Sequence, residues 1–183
     1  NEQERLDFFR FYAEYVNGRV ELLAGTGCIR YADTLALSNA VYELGYTPMV
    51  ISPYYFEMDQ EKLFVYYDRL AKDVKGDLYL YNFPPRTGHS IAPETIRRLI
   101  DANPNIIGLK DSVSTPGHTN MVCRAVEGKP FTVYSGFDDQ FLSNIANNGG
   151  GGCIGALSII VPEIWSSLVK AANERDFART FAL

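Results

Sequence analysis

Asn105-Ile106-Ile107-Gly108-Leu109-Lys110-Asp111 is the stretch that decides the fold, an apolar run of strand length that delivers a lysine at its end. A short apolar run bounded by turn signals is typical of a strand buried on both faces, as in a parallel sheet. A lysine after a random strand is most often a solvated surface residue. At the rim of an apolar barrel, however, burial disfavours the ammonium form, and the amine becomes a usable nucleophile toward a carbonyl.

The same strand-like unit recurs along the chain. Six apolar segments begin near residues 20, 48, 77, 105, 131 and 152, and the last of them extends to Leu157. Amphipathic segments separate them and predict helices over about 3–16, 32–44, 60–71, 93–102, 118–126 and 139–147, with a last helix opened by Pro162. A strict alternation of strand and helix predicts a parallel sheet covered by helices.

Two architectures fit this alternation, the closed (β/α)8 TIM barrel and the open doubly wound sheet. The regular spacing favours the barrel, and so does the lack of a Gly-x-Gly-x-x-Gly turn after any strand. A barrel needs eight strands, and the chain opens inside a helical pattern without a methionine. We therefore expect an α/β protein whose residues 1–183 form a single TIM-barrel domain with about six of the eight strands, truncated at both ends.

Composition and charge exclude several classes of function. The chain is 46% hydrophobic and 21% charged, which is typical of a globular domain, and its net charge of −5 argues against a nucleic-acid partner. No apolar run approaches a membrane span and no signal-peptide pattern opens the sequence, so we expect a cytoplasmic protein without a membrane partner. Two histidines and three scattered cysteines, Cys28, Cys123 and Cys153, predict reduced thiols and no metal site.

The C-terminal ends of barrel strands carry the active site, so the residues that follow each predicted strand are the candidates. These residues include one lysine, several tyrosines, an arginine and a pair of aspartates: Gly25-Thr26-Gly27, Pro53-Tyr54-Tyr55, Tyr81-Asn82-Phe83-Pro84, Lys110-Asp111-Ser112, Gly136-Phe137-Asp138-Asp139 and Ile154-Gly155. Together they suit an amine that forms an imine with a keto acid, served by a phenol that moves protons.

Five motifs, in order along the chain, resemble those of the dihydrodipicolinate synthase/N-acetylneuraminate lyase family: Leu-Ala-Gly-Thr-Gly at 23–27, Pro-Tyr-Tyr at 53–55, Tyr-Asn-Phe-Pro-x-Arg-Thr-Gly at 81–88, Gly-Leu-Lys-Asp-Ser at 108–112 and Ser-Gly-Phe-Asp-Asp at 135–139. The resemblance implies a TIM-barrel class I aldolase or synthase that binds pyruvate as a Schiff base. It also implies no metal or organic cofactor, small-molecule partners (pyruvate and an aldehyde), and a homotetramer built as a dimer of dimers.

Residue by residue, the resemblance assigns roles to the strand ends. Lys110 becomes the imine-forming residue, and Tyr81 the phenol that shuttles protons and contacts the pyruvyl carboxylate. Tyr55, in preference to Tyr54, resembles the tyrosine that reaches across the tight dimer interface to join a hydroxyl relay. Ile154 resembles the residue whose backbone faces bound pyruvate. The family's threonine turn after its second strand would lie upstream of Asn1.

Two features indicate different second substrates. Arg86 resembles the arginine that holds the carboxylate of aspartate semialdehyde in the synthases. Gly136-Phe137-Asp138-Asp139 is similar to the sugar-acid aldolases and N-acetylneuraminate lyases, in which the acidic pair accepts hydrogen bonds from substrate hydroxyls. The chain departs from the family at Ile159, where many members have asparagine in an Asn-x-x-Pro pattern. We predict cleavage or formation of a C–C bond in a 2-keto-3-deoxy sugar acid or N-acetylneuraminate; the alternatives are dihydrodipicolinate synthesis and a catalytically silent keto-acid-binding relative.

Structural interpretations of the same residues remain open. Tyr81 alone could be an aromatic of the barrel wall. Asp138 and Asp139 could cap the N-terminus of the helix that they precede. Tyr55 could be interface packing. The run Gly149–Gly152 reads as a flexible loop rather than a phosphate cradle, since no Lys-Ser/Thr follows it.

Overall fold

A computed structural model describes residues 1–183, and six parallel strands form its single sheet. The strands are β1 (Leu22–Gly25), β2 (Tyr46–Ile51), β3 (Leu78–Asn82), β4 (Ile106–Asp111), β5 (Thr132–Ser135) and β6 (Gly150–Cys153). The helices are α1 (Glu2–Val16), α2 (Tyr31–Tyr42), α3 (Gln60–Asp73), α4 (Pro84–Thr87), α5 (Pro93–Ala102), α6 (Pro116–Ala125), α7 (Phe141–Ile145), α8 (Leu157–Ile160), α9 (Pro162–Asn173) and α10 (Phe177–Ala182). A 3-10 turn, Asp138–Gln140, precedes α7.

The strand order distinguishes the two candidate architectures. Each strand pairs in parallel with the next one along the chain, in the order β1-β2-β3-β4-β5-β6. An open doubly wound sheet reverses its strand order at a switch point, whereas barrel strands follow one another around the ring. The sheet is therefore a curled arc of a TIM barrel, and the predicted fold class is confirmed with six of eight strands present.

The main hydrophobic core lies between the sheet and its helices. Its strand side includes Leu80, Leu109 and Val133, none of which has exposed surface. The helices contribute further fully buried side chains: Leu63, Tyr67, Leu70, Ile96, Leu99 and Val122. Because side chains alternate along a strand, the neighbours of these core residues point to the inner face of the arc.

Aromatic rings and glycines interlock on that inner face. The ring of Tyr79 lies across Gly108 on the next strand, where an added Cβ would stand 2.1 Å from the ring. The ring of Tyr134 lies in the same way across Gly151, 2.7 Å from an added Cβ. Burial and the neighbouring Tyr134 raise the pKa of Tyr79 to about 12. Tyr79 is therefore neutral at physiological pH, and its ring packs against that of Tyr134 inside the arc, with a centroid distance of 6.1 Å.

Most predicted elements are confirmed, but the last strand lies earlier in the sequence than predicted. It was expected to start near residue 152 and to include the apolar segment 154–157, but β6 spans Gly150–Cys153 and Leu157 begins α8. The run Gly149–Gly152, expected to be a flexible loop, thus contributes most of a strand. Glycines carry no hydrophobic pattern, so periodicity cannot locate a strand made of them. The sequence pattern predicts none of the three short helices α4, α8 and α10.

No helix of this chain combines the length and the apolar composition that crossing a bilayer requires.

Candidate active site

Lys110 and Tyr81 lie side by side on the inner face, at the C-terminal ends of β4 and β3. The two residues are register partners in the parallel ladder, and the Lys110 Nζ stands 4.7 Å from the centroid of the Tyr81 ring. That distance is typical of an ammonium held over an aromatic face. Phe83 stacks on Tyr81 with a centroid distance of 5.8 Å and fixes the orientation of the ring. The structure therefore brings together the two residues that were predicted to carry the chemistry.

Tyr134 flanks Lys110 on the other side and was not among the predicted site residues. It is the register partner of Lys110 on β5, so the lysine stands between two tyrosines in the ladder. The alternation in Thr132-Val133-Tyr134-Ser135 could have placed Tyr134 on the inner face, because Val133 belongs to the core. Its pairing with Lys110 depends on the register between strands, which the sequence does not show.

A polar layer lies behind the site, between the strand ends and the helices. Each of its members is the helix-facing residue at the end of a strand, and each has no exposed surface: Thr26, Ser52, Asn82, Asp111 and Ser135. Thr26 bonds Ser38 at 2.8 Å, and Ser135 donates to Gln140 at 3.1 Å. Every strand end of β1–β5 is thus tied by a polar side chain to the structure around it.

Asp138 binds backbone amides rather than standing free for a ligand. Its Oδ2 accepts from the Ala156 N–H at 3.0 Å, and its Oδ1 accepts from the Leu157 N–H at 3.2 Å, at the start of α8. Gly155 permits this approach, because an added Cβ would lie 2.1 Å from Asp138 Oδ1. The capping interpretation is therefore wrong, because the helix that Asp138 precedes receives no side-chain cap. Asp138 binds the amides at the start of α8 instead.

The other predicted binding residues of this region lie around the same strand ends. Asp139 is exposed, and Gly136 packs against Ser112, whose Oγ would lie 1.8 Å from an added Cβ. The Ile154 N–H donates to the Ser135 carbonyl at 2.9 Å, which continues the β5–β6 ladder beyond the last strand residue. A side chain at position 136 would displace Ser112, which follows the Lys110 strand.

Tyr55 and Arg86 share a separate surface hollow and do not contact Lys110. Tyr55 is 86% exposed and has a φ of 81°, a left-handed conformation that is rare for an aromatic residue. The Arg86 guanidinium is exposed and lies 6.0 Å from the centroid of the Phe83 ring. Phe83 thus stacks on Tyr81 and also contacts the arginine, which connects the hollow to the inner site.

The cysteines are free thiols. Burial, together with the charge of Asp138, raises the pKa of Cys153 to about 12. Burial likewise raises the pKa of Cys123 to about 11. Both thiols are protonated at neutral pH, and a protonated thiol is a weak nucleophile. No group of three or more His, Cys, Asp or Glu side chains is placed to hold a metal ion.

Comparison with known proteins decides the family. The model of the dihydrodipicolinate synthetase family matches residues 1–183. The chain belongs to the dihydrodipicolinate synthetase family. Among family members, YagE of Escherichia coli K12, which carries the provisional name 2-dehydro-3-deoxy-D-gluconate aldolase, is 34% identical over 97% of this chain and 59% of its own length. A 4-hydroxy-tetrahydrodipicolinate synthase of Kosmotoga olearia is 34% identical over 97% of this chain and 60% of its own.

Solved structures of the dihydrodipicolinate synthetase family share the fold described above. The crystal structure of YagE in complex with pyruvate matches with a TM-score of 0.94 at 32% identity, and the match covers 100% of this chain and 62% of YagE. The chain thus spans about three fifths of the length of these relatives.

Proposed function

We propose that the protein is a pyruvate-dependent class I aldolase that acts through a Schiff base on Lys110. The observation that carries the proposal is the contact between the Lys110 amine and the Tyr81 ring at adjacent strand ends on the inner face. Family membership supports it, as does the pyruvate bound to YagE, a relative of the same fold. No metal or organic cofactor is part of the proposed chemistry.

In the proposed mechanism, the neutral Lys110 amine attacks the keto carbon of the 2-oxo acid, and the carbinolamine loses water to give a protonated imine. The imine accepts the electron pair of the breaking C3–C4 bond, which yields an enamine and releases the aldehyde. Tyr81 relays the proton from the C4 hydroxyl, and reprotonation of the enamine followed by hydrolysis returns pyruvate and the free amine. The reverse sequence forms the bond.

The aldehyde partner is proposed to be that of a 2-keto-3-deoxy sugar acid or N-acetylneuraminate. Asp139 is exposed beside the strand ends, and a carboxylate accepts hydrogen bonds from sugar hydroxyls. Asp138, in contrast, would orient the α8 loop through its two amide contacts. The aldolase name of YagE agrees with this preference.

Dihydrodipicolinate synthesis is the second candidate, and Arg86 favours it. Its exposed guanidinium lies over Phe83 and can bind a carboxylate in a bidentate manner, as recognition of aspartate semialdehyde would require. Several relatives are named 4-hydroxy-tetrahydrodipicolinate synthase. Condensation of pyruvate with aspartate semialdehyde, without cleavage of 2-keto-3-deoxy sugar acids, would overturn our preference.

The whole protein is proposed to be a cytoplasmic homotetramer, a dimer of dimers in which Tyr55 completes the site of a neighbouring subunit. Tyr55 supports this arrangement because its ring is exposed and lies outside the Lys110 site of its own chain. Tyrosine is a residue that interfaces often use. Mass measurement of the native assembly tests the tetramer, and a monomer would contradict it.

The Schiff base is tested by treating the full-length protein with pyruvate and borohydride. We expect the mass to rise by one reduced pyruvyl group per chain, and Lys110→Ala to abolish the adduct. Lys129→Ala, at a partly exposed lysine outside the site, is the matched control and should keep it. An adduct that persists in Lys110→Ala would show the assignment to be wrong. Trapping without turnover of any aldol would identify a silent keto-acid-binding relative.

A further inference from the structure

A fully buried carboxylate lies directly behind the two strands that carry Lys110 and Tyr81. Asp111 has no exposed surface. Its oxygens accept hydrogen bonds from Asn82 Nδ2 at 2.8 Å, His118 Nδ1 at 2.9 Å and Thr119 Oγ1 at 2.7 Å. An ionised carboxylate can only accept, and burying it is tolerated when several donors surround it. Asp111 therefore holds a negative charge in the polar layer behind the site.

His118 faces an acceptor with each of its ring nitrogens. Nδ1 meets the Asp111 carboxylate, and Nε2 lies 3.2 Å from the Ile91 carbonyl oxygen and 3.4 Å from the Ser90 Oγ, which can donate or accept. The carbonyl is the nearer of the two groups at Nε2 and can only accept, which favours a protonated Nε2; with Nδ1 donating to Asp111 as well, the ring is an imidazolium. The His118 side chain is 14% exposed. The polar layer thus contains a buried ion pair between β4 and α6.

Two carboxylates act on His118: Asp111 on β4 and, more weakly, Glu94 on α5. The charge of Asp111 also acts on the Cys123 thiol of α6, which stays protonated. Burial lowers the pKa of His118, but the hydrogen bond and charge of Asp111, with the Ile91 carbonyl and Glu94, raise it, and the net shift is upward. The imidazolium is consistent with this environment.

The ion pair is linked to the spacing of the catalytic side chains. Asn82 follows Tyr81, and Asp111 follows Lys110, and consecutive strand residues point to opposite faces. The Asn82–Asp111 hydrogen bond behind the sheet therefore joins the same two strand ends that present Tyr81 and Lys110 in front. The Ser112 N–H donates to the Asn82 carbonyl at 2.8 Å and extends the ladder past that point.

Asn82 and His118 also form hydrogen bonds to the segment between α4 and α5. The Ile91 N–H donates to Asn82 Oδ1 at 3.0 Å, and its carbonyl faces His118. Asn82 and His118 thus hold both polar groups of one residue. Loss of one proton from the imidazolium would break one of these two hydrogen bonds, either that to the Ile91 carbonyl or that to Asp111, and would remove the charge that attracts the carboxylate.

We propose that Asp111 and His118 form a positioning pair for the Lys110–Tyr81 site, and that the pair is effective when His118 is protonated. This inference rests on the proposed Schiff-base function. Neither side chain reaches the inner face; the pair acts through Asn82 and the separation of the strand ends. A displacement of about 1 Å in an active site costs on the order of 10²-fold in rate.

The test compares His118→Gln with His89→Gln in the full-length protein. His89 is the other histidine of the chain, bonds Ser52 in the same polar layer at 2.9 Å, and has no contact with Asp111. We expect His118→Gln to lower kcat roughly 10- to 100-fold with little change in KM. In the unmutated protein we expect kcat to fall as pH rises above about 6.5 through the pKa of His118, and we expect His118→Gln to remove this fall. His89→Gln should keep both the rate and the profile.

A His118→Gln variant with the same kcat and the same pH profile as the unmutated protein would overturn the proposal. If that variant does not fold, 15N chemical shifts of His118 in the unmutated protein decide the charge state. Two protonated ring nitrogens at a pH near 6.5 support the pair, and a neutral ring there overturns it. Failure of the proposed function has a different signature, since the unmutated protein would then trap no pyruvate, whatever the state of His118.

Discussion

At the scale of single residues, the proposed Schiff-base chemistry needs an amine and a partner that can move a proton. Tyr81 has the position for that role, because its ring lies under the Lys110 amine and also stacks with Phe83. The packing of the Tyr81 ring and the chemistry of its hydroxyl group can be tested separately. The ring orients the lysine, and the hydroxyl alone can exchange a proton with the substrate.

Tyr81→Phe separates those two contributions. The variant keeps the ring and its stacking, so we expect pyruvate still to be trapped on Lys110 by borohydride. Turnover should fall on the order of 10²- to 10⁴-fold because proton relay is lost. The measurements are kcat for aldol cleavage and the yield of the trapped adduct. Tyr134→Phe is the matched control, since the ring of Tyr134 leans over Gly151; equal losses in the two variants would contradict the role assigned to Tyr81.

At the scale of elements, the loop after β5 and the loop after β6 are joined by one carboxylate. Asp138 accepts from the first amides of α8, and it can do so only because residue 155 has no side chain. These contacts connect segments that are 18 and 19 residues apart. They also explain why the chain leaves the sheet at Cys153 instead of continuing as the strand that the apolar residues 154–157 predicted.

Gly155→Ala tests that connection. The new methyl group would overlap Asp138 Oδ1 and Cγ, at 2.1 and 2.4 Å, and force the carboxylate away from both amides. We expect the free energy of unfolding to fall by about 1–3 kcal/mol, from overpacking and two lost hydrogen bonds. Gly117→Ala, in α6 with nothing within 4 Å of an added Cβ, is the control and should be neutral or slightly stabilising. Denaturant unfolding curves measure both, and equal stabilities would contradict the connection.

Elements with a strong hydrophobic pattern were predicted correctly from the sequence. The prediction failed where contacts between residues distant in the chain determine the local structure. β4 and α5 lie where the apolar periodicity placed them, within one residue. The position of β6 was predicted wrongly because glycines carry no hydrophobic pattern. In addition, Asp138 in a distant loop binds the backbone amides that follow β6. Asp111 and His118 are seven residues apart, and only the entry of α6 at Pro116 brings them together. The motif therefore identified Lys110 and Tyr81, but not the side chains that hold their strands.

At the scale of the whole molecule, the buried ion pair couples stability to pH. The pKa of His118 in the folded protein lies above its ordinary value of 6.5, because the contacts with Asp111 outweigh the opposing effect of burial. A raised folded-state pKa gives stabilisation that is complete below the unfolded-state pKa and is lost as pH rises through the folded-state value.

We therefore expect this contribution to the free energy of unfolding to decrease as pH rises above about 6.5. Urea unfolding at a series of pH values measures the slope, and His118→Gln should remove the part that belongs to this residue. His89→Gln is again the control, since burial lowers the pKa of His89 and reverses the sign of its contribution. An identical slope in His118→Gln and the unmutated protein would rule out the coupling.

The alternation of β4 also limits how this protein can change. Lys110 and Asp111 are adjacent in the chain, yet one serves the reaction chamber and the other the buried support behind it. A substitution at Lys110 changes the inner face directly, whereas a substitution at Asp111 acts on that face only through the strand ends that the buried support holds. Deleting a single residue earlier in β4 would rotate every later side chain by half a turn, so that the carboxylate would enter the chamber and the amine the apolar layer. A new substrate specificity can therefore evolve through changes in the loops, but not through a change in the length of β4.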